Sequence, residues 1–108
     1  MKVSEKNGIR ILTLEIEHLD ALNSEQIKKQ MINHVDGAEK IVLNMNMVGF
    51  VDSSGLGVIL TLYRHVNEHS GSMVIACVKD TVKVLFKLVR LSHIIQVFDT
   101  ESEALSQV

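Results

Sequence analysis

The residues best placed for chemistry are Asp52-Ser53-Ser54-Gly55-Leu56-Gly57, where two hydroxyls follow a carboxylate. A serine beside an acid can be a nucleophile. The sharp elbow that activates such a serine is built on Gly-x-Ser-x-Gly, and Phe50-Val51-Asp52-Ser53-Ser54 lacks it. Gly55-Leu56-Gly57 is no nucleotide loop either, because the Lys-Ser/Thr ending that holds phosphates and Mg²⁺ is missing. What these residue types do support is a hydroxyl at the start of a helix. Unpaired backbone N–H groups and the positive end of the helix dipole would tolerate a phosphate there. The glycines allow close backbone approach, from a partner or between this helix and a sheet, and Ser54 is a candidate helix cap. By itself Asp-Ser-Ser-Gly is also an ordinary turn and N-cap.

Other candidates carry less. His65 and His69 are four residues apart and could share a metal on a helix, but spacing supplies no third ligand, so they read as solvent-facing. Cys77 stands alone within Met73-Val74-Ile75-Ala76-Cys77-Val78 and reads as a core thiol in a buried strand, with no disulfide partner. Met45 and Met47 read as core filler. No cofactor or metal site is expected.

The elements that must position Ser53 are legible from periodicity. Lys6-Asn7-Gly8 holds the Asn-Gly pair of a tight hairpin, with Val3 leading in and Ile9 leading out. The apolar phase then switches between Ile11 and Leu12, which requires a bulge or burial on both faces. Asn23, with Gln26 three residues on, predicts a capped helix with the stripe Ile27, Met31, Ile32 and Val35, stopped at Gly37. Ile41-Val42-Leu43 predicts a central strand covered on both faces, handing over through Gly49–Gly57 to a helix striped by Val58, Ile59, Leu62 and Val66. Met73 to Val78 repeats the strand pattern. Asp80 is the expected cap of a helix bearing Val82, Leu85, Phe86 and Val89, and Ile94 to Phe98 a last short strand. Thr100 to Glu103 forms a capping box before a terminal helix with Ala104, Leu105 and Val108 on its apolar side. This is an α/β pattern: an N-terminal β-hairpin joined to a mixed sheet with parallel crossovers and packed helices, in one domain over 1–108. In open sheets of this kind, partners meet the strand-to-helix edge where Ser53 lies.

Composition excludes several classes. With 46% hydrophobic and 22% charged residues, the chain has the make-up of a folded domain. Eleven basic against thirteen acidic residues leave a charge of −2 without a basic cluster suited to nucleic acid. Apolar runs stay far below the roughly 20 residues of a membrane span. Met1 to Lys6 has no apolar signal segment, so the expected place is the cytoplasm.

Val51-Asp52-Ser53-Ser54-Gly55-Leu56-Gly57-Val58 resembles the phosphorylation loop of the STAS family of bacterial anti-sigma factor antagonists. Ile41 to Asn44, Thr81 to Phe86 and Glu103-Ala104-Leu105 resemble that family's apolar strand, third helix and closing helix. The resemblance implies a STAS fold and a non-enzymatic, partner-switching protein. Ser53 would be the phosphoacceptor, on a binding face with Asp20, Asp52, Ser54, Gly55 and Leu56. The implied partners are an anti-sigma factor that is also a serine kinase and a PP2C-type phosphatase, with the free protein a monomer. Phosphorylation would end the contact. The alternative is a STAS scaffold in another bacterial signalling, biofilm or lipid-transport complex. The sequence departs from the family at Glu17-His18-Leu19-Asp20, which has no glycine, and at Arg90-Leu91, where Gly-Leu is usual.

Overall fold

A computed structural model describes residues 1–108. β1 (Lys2–Lys6) and β2 (Ile9–Thr13) form the hairpin, with Asn7 at φ +54° and Gly8 at φ +79°. These left-handed values are those a type I′ turn needs. β3 (His18–Leu19) leads to α1 (Ser24–Val35), then β4 (Lys40–Asn44), β5 (Phe50–Val51) and α2 (Ser53–Glu68). β6 (Ser72–Ala76), α3 (Asp80–Leu88), a 3₁₀ turn at Leu91–His93, β7 (Val97–Phe98) and α4 (Glu101–Gln107) complete the chain.

The main sheet has the order β1-β2-β4-β6-β7, antiparallel only at β1 and β2, so β4 is central as its unbroken apolar run predicts. The two-residue strands β3 and β5 pair in parallel as a separate small sheet. Periodicity does not reveal so short a pair, because two residues cannot show alternation.

The phase switch at Ile11 and Leu12 is burial on both faces. β2 pairs with β1 without an interrupting bulge, and Leu12 and Leu14 join a core of 22 residues under α1, α2 and α3. Ile9 and Ile11 turn to the other face, where they meet Val42, Val74, Ala76 and Ala104 of α4. Each fully buried aliphatic side chain here contributes roughly 1.5–3 kcal/mol, so the sheet is held from both sides. Thr100 caps α4 as expected: its hydroxyl oxygen accepts from the Glu103 N–H at 3.1 Å, while the Glu103 carboxylate takes the Thr100 hydroxyl at 3.0 Å rather than the backbone N–H of a full capping box.

Several expectations need correction. The Asn23 side chain does not cap α1; it accepts from the Asp20 N–H and donates to the His18 carbonyl, bracing the loop before the helix. Asp80 is the first residue of α3 and does not cap it, the preceding position being Lys79. The last strand is only Val97–Phe98, because Leu91 and Ile95 are buried by a 3₁₀ turn that occupies the preceding residues. Val89 follows α3 and is exposed. Met45 is a core residue, but Met47 is 47% exposed. Cys77 lies one residue beyond β6 at φ +62° and is half-buried, since the chain must turn sharply there to leave the sheet.

Candidate functional site

α2 begins five residues earlier than the apolar stripe suggests, at Ser53, so Gly55 and Gly57 belong to the helix and not to a loop. Its cap is Asp52, not Ser54. One Asp52 carboxylate oxygen accepts from the Gly55 N–H at 2.9 Å, and Asp52 has the extended backbone that a capping residue adopts. The other oxygen accepts from the Ala21 N–H at 3.1 Å. One side chain thus closes the helix end and ties it to the loop before α1.

That loop is itself ordered by Asp20. Its carboxylate accepts from the Leu22 N–H at 3.0 Å, and its carbonyl accepts from Asn23 and Ser24. The small β3–β5 sheet, pairing His18 with Phe50 and Leu19 with Val51, fixes the two loops side by side. Asp20 and Asp52, 32 positions apart in sequence, are thereby brought to one face with Ser53.

Ser53 is exposed at the first turn of α2, Ser54 and Leu56 are half-buried, and Gly55 is buried. A Cβ at Gly55 would stand 2.3 Å from the Leu19 carbonyl oxygen and 2.9 Å from a Val51 methyl. Of the two uses open to this glycine, the structure shows the internal one: α2 lies tight on β3 and β5, and Gly55 shapes the face from beneath. The two loops joined at the start of α2 also carry exposed apolar side chains. Leu22 is 96% exposed and Phe50 50%, the latter edge-on against the His18 ring. Neither stood out in the sequence as a site residue; for Leu22 the available signal was a large apolar side chain set between Asp20 and Asn23.

Elsewhere the side chains offer little chemistry. His65 and His69 stack, and His65 Nε2 lies 3.9 Å from an Asp36 carboxylate oxygen, but no group of three ligands is placed to hold a metal ion. Burial pushes the Cys77 thiol above its ordinary pKa, outweighing the lowering effect of the Glu101 backbone hydrogen bond, so it is a poor nucleophile. No buried side-chain polar atom lacks a hydrogen-bond partner. No helix is long and apolar enough to cross a membrane.

The STAS domain profile matches residues 1–104. This chain belongs to the STAS domain family. The anti-sigma F factor antagonist of Paenibacillus polymyxa is 33% identical over 110 residues, covering 100% of this chain and 93% of that one. A crystal structure from Thermotoga maritima, of a candidate anti-sigma factor antagonist, is 25% identical with a TM-score of 0.88, covering 99% of this chain and 92% of that one. Bacillus SpoIIAA, solved in its phosphorylated form, shares the fold at 22% identity and TM-score 0.71, over 98% of this chain and 96% of that one. The STAS fold expected from the sequence is the one observed.

Proposed function

We propose that this STAS domain is an anti-sigma factor antagonist switched by phosphorylation of Ser53. The unmodified chain binds an anti-sigma factor that is also a serine kinase and so frees a sigma factor; phosphorylation ends that binding, and a PP2C-type phosphatase restores it. The protein acts in the cytoplasm as a binding module, monomeric when free, and catalyses nothing itself.

The observation that carries this reading is an exposed hydroxyl on the first residue of α2, directly after the Asp52 carboxylate that ties this helix to the loop carrying Asp20 and the exposed Leu22. A kinase can reach it. A phosphate adds about −1.5 to −2 charges at neutral pH. The fold tolerates that charge at a helix N-terminus. A complex does not, because Leu22 and Phe50 suit an apolar contact and Asp20 and Asp52 already make the face acidic. Like-charge juxtaposition in an interface can cost several kcal/mol, and each 1.4 kcal/mol is about tenfold in affinity. The names of the relatives support the same role, as does the phosphorylated state recorded for SpoIIAA.

The test has two arms. Incubation with ATP and candidate anti-sigma factor kinases of the source genome, followed by peptide mass spectrometry, should place the phosphate on Ser53. Ser53→Ala should then retain the kinase in a pull-down and Ser53→Asp should lose it. Equal binding by the two variants would sink the switch.

A further inference from the structure

The turn between α3 and the 3₁₀ turn holds a residue that its conformation disfavours. Arg90 sits at φ +58° and ψ +36°, the left-handed region where a Cβ is crowded and glycine is at ease. The bond that the turn needs, from the Arg90 N–H to the Lys87 carbonyl at 3.1 Å, would be made equally by glycine. Nor does the side chain recover the strain inside the chain. Its exposed guanidinium enters no ion pair or side-chain hydrogen bond, whereas that of Arg10 is committed to Glu5 and to the carbonyls of His34 and Asp36. A strained position with an uncommitted side chain points to a use outside the molecule.

The surface around it has the chemistry of a docking face. Val84 is 59% exposed and Leu88 77%, one turn apart on the same side of α3. Exposed apolar residues clustered in this way, rimmed by charge, mark interaction sites. The rim is basic: Lys79, Lys83, Lys87 and Arg90 stand against Asp80 and Asp99, in a chain whose total charge is −2. Only Lys83 of these cations is paired, with Asp99. The face also continues to the phosphorylation site. Gly49, Phe50 and Val51 line a cleft of about 260 Å³ with Thr81, Val82 and Leu85, bridged where the Thr81 hydroxyl donates to the Gly49 carbonyl at 3.2 Å. The strand on that cleft's far side runs directly into Asp52 and Ser53.

We infer that the outer face of α3 is a second docking surface for the same anti-sigma factor, receiving an acidic amphipathic segment whose carboxylate is read by Arg90. This rests on the function proposed above. A second copy of the chain would bring the same cations and be repelled. A membrane is the weaker fit, since α3 spans nine residues and its one aromatic side chain, Phe86, is buried. A guanidinium grips a carboxylate through two parallel hydrogen bonds, which lysine cannot copy.

Arg90→Gly separates strain from binding. With the kinase that phosphorylates Ser53, titration calorimetry at low and high salt should show Arg90→Gly binding about tenfold more weakly or worse, the deficit shrinking with salt. The same variant should melt higher, by about 4 °C, because the turn is relieved. Arg90→Lys should also bind less tightly, and the exposed Leu88→Gln should weaken binding about fivefold with an unchanged melting temperature. Wild-type affinity in both Arg90→Gly and Leu88→Gln would overturn this inference and leave the Ser53 reading standing. If no kinase modifies Ser53, or Ser53→Asp still binds, both fall. Should the α3 variants lose only co-sedimentation with phosphatidylserine–phosphatidylcholine vesicles, the face serves a membrane and the inference is overturned.

Discussion

The Asp52 carboxylate holds the Ala21 N–H at 3.1 Å across 31 residues of sequence while capping α2 through Gly55. Losing a helix cap typically costs about 1 kcal/mol, and losing the second hydrogen bond, whose exposed donor water can satisfy, adds up to about 1 kcal/mol more. Asp52→Ala should therefore lower unfolding free energy by about 1–2 kcal/mol in urea titration. Asp52→Asn, which keeps one acceptor oxygen, should fall between it and the wild type. The Leu22 loop should also gain faster amide exchange in Asp52→Ala, because its tether to α2 is gone.

Two glycines in the same helix predict opposite outcomes. Gly57 has open space where a Cβ would stand, so Gly57→Ala should stabilise by about 0.5–1 kcal/mol through helix propensity. At Gly55 the same gain is outweighed by a clash with the Leu19 backbone oxygen, which cannot swing aside as a side chain would. Gly55→Ala should destabilise by about 1–3 kcal/mol, read from thermal midpoints of the pair of variants.

Cys77 should react slowly. Burial raises its thiol pKa, so little thiolate exists at neutral pH. Alkylation by iodoacetamide near neutrality should be several-fold slower in the native chain than in the urea-unfolded chain and accelerate as pH rises; equal rates would contradict the assigned environment.

The Lys83–Asp99 pair joins α3 to the segment before α4. Its hydrogen bond to Lys83 holds the Asp99 carboxyl below the ordinary carboxylate pKa, and the same bond raises that of Lys83. For Asp99 the folded value is the lower one, so the pair's contribution is present above the unfolded value of about 3.9 and is lost as pH falls through the folded one. Asp99→Asn should flatten the acid side of the stability profile measured in urea at successive pH values. The effect should be small, since both groups are exposed and screened.

The alternation of strand and helix, the I′ hairpin, the Thr100 cap and the central place of β4 were all legible in the sequence. Each rests on local chemistry: positive φ at Asn7-Gly8, a hydroxyl three residues before Glu103, and an unbroken apolar run at Ile41-Val42-Leu43. The Asp52-Ser53 segment was legible for the same reason, since residue types and spacing of consecutive positions carry its pattern. The start of α2 was misplaced because Gly55 and Gly57 look like loop residues. Only the packing against Leu19 and Val51 explains why a helix needs a glycine there.

What the tertiary structure alone decided is who stands next to whom. That Asp52 reaches back to Ala21, that β3 pairs with β5 so the Leu22 loop and Ser53 share one end of the fold, and that α2 needs a glycine against Leu19 all depend on contacts between segments tens of residues apart. Residue order constrains neighbours along the chain through φ, ψ and side-chain period. Proximity across it is set when the core closes, and the face around Ser53 is made by that closure.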